Sequence, residues 1–259
     1  MLSTLSSIWD TEGPLPIAFD GDGTLWTGDV ADRIWHALLE EQLVRDEARP
    51  ALMRECASFE LDTSGDVIAL CTRLFQAYVD GHFPEERICE VQAWSFAGWT
   101  RAEIELFVDR ILFTPSAKEP SLLDTYIGET CEILAAAKAR GVPVFVVSAS
   151  PAHVIERAVR PLGVSQVLGS RVLWSEDDRV LPDVERPICY GPGKVRALRR
   201  VLEGRPLLAA FGDNLFDLQM LQFARIGVMV RPKPRLLALP EAKALPTLAE
   251  RPLSKLSVP

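Results

Sequence analysis

The chain has 259 residues, 48% of them hydrophobic and 25% charged, which is enough apolar side chain to bury one sizeable core and a smaller subdomain. Its formal net charge of −8 argues against nucleic acid or an acidic membrane surface as a partner; a small phosphate stays possible, because local charge in a site can oppose the global sign. The five cysteines (Cys56, Cys71, Cys89, Cys131, Cys189) show no CxxC spacing and read as reduced, mostly buried thiols; with no signal-like start and no run of membrane-spanning length, the sequence predicts a cytoplasmic protein.

In chain order, the first predicted element is the apolar run Leu15 to Phe19, a buried strand that ends in Asp20-Gly21-Asp22-Gly23-Thr24-Leu25. Open α/β sheets do their chemistry at such strand ends. Gly21 and Gly23 free the backbone to turn, so Asp20 and Asp22 need not point to opposite faces, the layout of a nucleophile beside an acid/base. Asp-Gly-Asp-Gly also occurs in tight turns and calcium loops, but no glutamate stands where the calcium loop takes its last ligand.

Between Val30 and Leu123 the pattern is helix after helix, which predicts a cap. Val30, Ile34, Trp35, Leu38 and Leu39 mark one apolar face; Ile68, Leu70, Cys71, Leu74, Phe75 and Tyr78 a second; Ile88, Val91 and Trp94 a third. Thr100-Arg101-Ala102-Glu103 is a capping box opening a fourth run through Ile104, Phe107 and Ile111.

Core patterning resumes with a helix from Glu129 to Arg140 closed by Gly141, then a buried strand from Val142 to Val147 that ends in Ser148-Ala149-Ser150-Pro151. Ser150 suits an N-cap and Pro151 the first helical position, and a helix start beside a free hydroxyl is a phosphate cradle. A helix through Val154, Ile155, Ala158 and Val159, a short strand near Val167 and a hairpin from Arg171 to Leu181 follow. Gly191-Pro192-Gly193-Lys194 brings an ammonium to the start of another helix. The strand Leu207 to Phe211 leads into Gly212-Asp213-Asn214-Leu215-Phe216-Asp217, whose two acids, on a starting helical turn, can face one site. A last strand, Ile226 to Val230, precedes a Pro-rich C-terminal stretch to which no chemistry is assigned.

Taken together and in this order, the four polar segments resemble the haloacid dehalogenase superfamily of phosphohydrolases, with its Asp-x-Asp-x-Thr loop, a Ser or Thr after a strand, a Lys, and an acidic pair. The resemblance implies an α/β fold, a Rossmann-like three-layer core with a mainly parallel sheet (residues 1–29 and 124–259) carrying an inserted all-helical cap (residues 30–123). It implies that Asp20 is the nucleophile, Asp22 the general acid and then base, and Thr24, Ser148, Ala149 and Lys194 the holders of phosphate oxygens. It also implies Asp20, Asp22 and Asp213 as ligands of Mg²⁺, Asp22 through its backbone carbonyl, with Asp217 and Asn214 in support.

The Ser-Ala-Ser-Pro form and the long insert look most like the branch containing phosphoserine phosphatase and phosphorylcholine phosphatase. The expectation is an Mg²⁺-dependent phosphomonoesterase acting on a small metabolite through an aspartyl-phosphate. Alternatives are phosphoserine phosphatase proper, a phosphotransferase using the same intermediate, and a non-enzymatic phosphoryl-sensing module.

The chemistry asks for these residue types independently. A phosphomonoester dianion repels a carboxylate nucleophile, so the site needs a divalent cation between them and a lysine opposite. An all-oxygen ligand set suits Mg²⁺ better than zinc. For the substrate the sequence is less specific. Trp26, Trp94 and Trp99 read as core residues, with an aromatic cage for a choline-like cation as the alternative. Phosphoserine phosphatases place a glutamate after the first motif to meet the substrate amine, whereas this chain offers only Asp29 and Asp32; Phe216 stands where that branch commonly has asparagine. His36, His82 and His153 read as surface or ordinary helix residues, and Arg73, Arg87 and Arg101 as solvated helix faces.

Overall fold

The computed structural model describes residues 1–164 and 166–249. Helix α1 (Leu2–Glu12) buries Leu5 and Trp9 and precedes β1 (Ile17–Phe19), all of whose residues are buried. Five helices follow: α2 (Val30–Glu40), α3 (Arg49–Ser58), α4 (Val67–Val79), α5 (Glu85–Trp94) and α6 (Arg101–Phe113). The chain returns through α7 (Gly128–Ala139) to β2 (Val144–Pro151), α8 (Ala152–Ala158) and β3 (Gln166–Ser170). Strands β4 (Val172–Trp174) and β5 (Val180–Val184) pair antiparallel as a separate hairpin. Helix α9 (Pro192–Leu202), β6 (Ala209–Gly212), α10 (Leu218–Phe223), β7 (Ile226–Met229) and α11 (Pro234–Leu237) complete the core.

The main sheet is parallel, in the order β3-β2-β1-β6-β7. Its strands are short and apolar because both faces are covered, and the side chains divide between the faces with period two. Ile17, Phe19, Val144, Val146, Ala209 and Phe211 pack into a cluster with α1, α7, α8 and the helical insert. Ala18, Phe145, Val147 and Ala210 face the other way, onto Leu198 and Leu202 of α9 and Met220 and Leu221 of α10. This is the predicted three-layer α/β core with its helical cap.

Several local details differ from expectation. The sequence reading omitted α1, although Leu2, Leu5 and Trp9 repeat at helical spacing before Pro14 ends the run, and it omitted α3, which starts with Pro50 in its first turn. More consequentially, β2 continues through Ser148-Ala149-Ser150-Pro151, so Ser150 does not cap α8; Pro151 is the N-cap position and no side chain caps that helix. The described part of the Pro-rich C-terminal stretch returns to the sheet, where Thr247 bridges Met229; residues 250–259 lie outside the described residues.

The helical insert is hydrogen-bonded to the core beside the hairpin. Gly98 N–H donates to the Val180 carbonyl and Val180 N–H to the Trp99 carbonyl, both at 2.9 Å, which makes the segment before α6 a partner of β5. Arg157 of α8 forks onto Asp109 of α6, its Nε 2.7 Å from Oδ1. Glu90 of α5, buried, lies between Arg87 of its own helix (2.6 Å) and Arg186 of the core (2.7 Å). Both arginines are partly exposed and can resolvate, so Glu90→Ala is expected to cost about 1–2 kcal/mol, below the range for a fully buried pair, and to lower Tm by several degrees. Thermal denaturation measures this, and an unchanged Tm would remove Glu90 from the cap–core attachment.

Candidate active site

The loops after the C-terminal ends of β1, β2, β6 and β7 bring the polar segments together. Gly23 makes the first loop possible: its φ is +77°, and a Cβ there would lie 2.2 Å from Oδ2 of Asp213. Gly193 does the same for α9, because a Cβ would lie 1.8 Å from the Ile188 carbonyl. That close approach seats the start of α9 so that Lys194 reaches into the site.

Lys194 is 3% exposed, and its Nζ donates to Oδ1 of Asp20 and Oδ1 of Asp217, each at 2.5 Å. Burial alone would lower its pKa, but the two carboxylates outweigh burial and raise it above the ordinary lysine value, so Lys194 stays charged. Asp217 is 1% exposed and its other oxygen accepts from the backbone amides of Asp213 (3.1 Å) and Asn214 (2.9 Å). Asn214 caps the short turn Leu215–Asp217 through its side chain and so fixes the loop that presents both acids. Burial first, and then repulsion from Asp217, pushes Asp20 well above the carboxylate range, against the pull of Lys194. Asp213 is pushed up to about 6, by burial and then by Asp217.

Asp20, Asp213 and Asp217 each offer an oxygen within 4.8 Å of the others, and all three are buried. Among the described residues, Oδ1 of Asp213 and the hydroxyl of Thr24 are buried without a partner, while Oδ2 of Asp213 takes Nζ of Lys233 at 3.0 Å. Clustered carboxylates, one unpaired buried oxygen and raised acid pKa values all indicate a shortage of positive charge. That donor set fits a hard divalent cation.

Asp22 stands apart from this cluster. Its Oδ1 accepts from Trp26 Nε1 and Val30 N–H, both at 2.8 Å, and its Oδ2 from the Ser150 hydroxyl at 2.7 Å. Both oxygens of its carboxylate are thus engaged by donors from the protein. Burial raises its pKa although these three donors pull it down. The sequence reading missed both roles: Ser150 belongs to Asp22 and not to a helix cap, and Trp26 is fully buried with its indole N–H on the same carboxylate. Ser148, buried, accepts from Ser150 N–H at 3.1 Å; the Ala149 carbonyl accepts from Ser170 at 2.6 Å. Lys233 was also missed, although its place just after the last strand was a signal.

Other candidates are placed elsewhere. Asp29 caps α2 (Asp32 N–H, 2.9 Å), and Asp32 accepts from Gln92 of α5 at 2.7 Å. Trp94 and Trp99 are buried in the core. Arg73 and Arg87 are ion-paired to Asp62 and to Glu55 and Glu90, and Arg101 stacks on Trp174 at 4.4 Å, so these are not bare solvated faces. His153 is a helix residue of α8, as read, but not a surface one: it is buried against Phe96, with its pKa lowered to about 3 by burial. Phe216 packs on Tyr190, ring centroids 4.3 Å apart.

A cluster of buried carboxylates and a lysine at the carboxyl end of a parallel sheet, under an inserted helical cap, defines a class of α/β hydrolytic enzymes. A family model for haloacid dehalogenase-like hydrolases matches residues 17–222, and the chain belongs to that family. It is similar to a protein named as a probable phosphatase of Mycobacterium tuberculosis strain H37Rv, 30% identical over 163 residues, a match covering 61% of this chain and 54% of that protein. The chain thus spans about half the length of the mycobacterial relative it matches. Among solved structures, a protein of unknown function from Bordetella pertussis Tohama I superposes with a TM-score of 0.64 at 16% identity, covering 90% of this chain and 97% of that one. A substrate-bound phosphoserine phosphatase superposes with a TM-score of 0.54 at 19% identity, over 91% and 93% of the two chains. At these identities both structures show the fold.

The arrangement makes Lys194 the counter-ion of two buried acids. Lys194→Met is expected to destabilise the protein by about 3–5 kcal/mol, because it strands those charges, and adding Asp217→Asn should recover part of the loss. Denaturant unfolding of the two variants checks this; no recovery in the double variant would mean that Asp217 and Lys194 are not coupled.

Proposed function

We propose that the protein is a phosphomonoesterase for a small phosphorylated metabolite, working through an aspartyl-phosphate on Asp20. The observation that carries this reading is the Lys194 ammonium bridging Asp20 and Asp217 beside the unpaired oxygens of Asp213 and Thr24. Lys194 steers one oxygen of Asp20 and leaves the other to attack phosphorus. The hydroxyls of Thr24 and Ser148, the amide of Ala149 and the Lys194 ammonium hold phosphate oxygens. Asp20, Asp213 and the Asp22 carbonyl would hold a Mg²⁺ ion, which when bound would supply positive charge to offset repulsion between nucleophile and dianion. The name of the mycobacterial relative and the fold shared with phosphoserine phosphatase support a phosphatase.

Asp22 is the acid/base in this reading. It first protonates the leaving alkoxide, and then takes a proton from the water that attacks the aspartyl-phosphate, releasing phosphate and regenerating Asp20. Ser150, Trp26 and the Val30 amide hold its carboxylate in position. A substrate larger than a metabolite is excluded by the helical insert covering the loops.

The test is phosphate release from a panel of phosphorylated metabolites with Mg²⁺ present. Asp20→Asn should lower turnover by about 10³-fold or more with the fold retained, and a chelator should abolish activity until Mg²⁺ is restored. Near-normal turnover in Asp20→Asn would sink the assignment.

Asp22→Asn separates acid catalysis from binding. It should slow alkyl phosphates by about 10²-fold or more and p-nitrophenyl phosphate much less, since the latter's leaving group needs little protonation. Equal losses on both substrates would contradict the acid role.

A further inference from the structure

We propose that a second cavity, formed by α9, the end of β3 and the segment from Glu185 to Cys189, binds a small multiply charged anion bearing phosphate or carboxylate groups. The cavity measures about 310 Å³ and is lined by Arg171, Arg186, Arg196 and Arg200, with Glu185 as the one carboxylate on its wall. That volume lies at the lower end of the range for small-ligand pockets.

Four guanidiniums at one cavity need explaining in a chain with a net charge of −8. Two are accounted for by the fold: Arg186 is engaged with Glu90 and Asp183, and Arg171 donates to the Val167 carbonyl at 3.3 Å and lies 4.0 Å from Glu156. Arg196 and Arg200 make no hydrogen bond or ion pair among the described residues. Arg200, in the last turn of α9, gains from the helix dipole, but Arg196 lies in the N-terminal half of the helix, where the dipole gives a cation nothing. The two sit four residues apart on α9 and so share a face, and Arg171, between β3 and β4, lines the same cavity. The Cys189 thiol, pushed up to about 11 by burial, is neutral and adds no negative charge. Arg196 and Arg200 are exposed, and free, planar donor forks lining one concavity suit phosphate and carboxylate.

This site is separate from Asp20 but shares α9 with Lys194. The close approach of Gly193 to the Ile188 carbonyl forms both the cavity wall and the seat of the helix start. An anion held there presses on the helix that carries Lys194, and it does so whether or not the chain is a phosphatase.

Calorimetric titration with inorganic phosphate and, separately, with malate tests the proposal. Wild-type protein should bind at least one of the two at this site, more weakly as NaCl rises. R196Q/R200Q should weaken that binding by about tenfold to hundredfold. Its turnover of p-nitrophenyl phosphate at low anion concentration should be unchanged, which shows that the variant folds. Hydrogen exchange should show protection of residues 185–200 on addition of the bound anion. Binding of phosphate alone assigns a phosphate-bearing ligand, and binding of malate alone a carboxylate-bearing one. An isotherm identical in wild type and R196Q/R200Q, or no binding of either anion, overturns the proposal.

Discussion

The structure depends on one charge placed where water cannot screen it. Lys194 is 3% exposed and lies between Asp20 and Asp217, which are 6% and 1% exposed. A buried ammonium is tolerated only with its partners in place, and each carboxylate likewise needs the ammonium. The requirement reaches across the chain: Lys194 starts α9, Asp20 ends β1 and Asp217 follows β6. Three segments distant in sequence must therefore arrive together. The parallel sheet accomplishes this because the carboxyl ends of β1, β2 and β6 all open onto the same edge.

Once those partners are fixed, the rest of the site follows from what remains unpaired. Asp217 uses both oxygens, one on Lys194 and one on backbone amides, so it acts as a girder. Among the described residues Asp213 keeps a buried oxygen without a donor, and Lys233 covers the other. Asp22 is supplied with three donors and stays outside the carboxylate cluster. Four acids of similar chemistry are thus divided into distinct electrostatic settings by the hydrogen bonds each receives. That division is the physical basis for giving them different parts in one reaction.

Much of this was legible in the sequence because the determining features are local. Apolar runs ending in Asp, Ser or Gly announce strands whose ends carry chemistry, and the strands were found to within a few residues. Gly23 was legible as a turn and Gly193 as part of a helix start, but the atoms they make room for, Asp213 and the Ile188 carbonyl, were not. The errors share a cause. Ser150 looked like a helix cap because local sequence favoured it, while a contact with Asp22, 128 positions away, holds its hydroxyl instead. Lys233 and His153 likewise depend on packing partners that no local pattern names. In α3, charged residues interrupt the apolar repeat and Pro50 starts the helix, so the periodic signal is weak.

The same tertiary contacts decide how the cap is held. Along the edge of the sheet formed by β3, the insert is held by backbone hydrogen bonds to β5 and by the Glu90–Arg186 and Asp109–Arg157 pairs. The opposite edge is formed by β7. Beyond it, Glu85 of α5 feels Lys233 and Arg235 through space, yet makes no hydrogen bond or ion pair with either among the described residues. Such through-space attraction between partly exposed charges is weak and screened by salt, whereas separating the β5 side breaks several direct hydrogen bonds at once. The insert is therefore held by direct bonds on the β5 side and by weaker through-space attraction on the β7 side, where Lys233 meets Asp213.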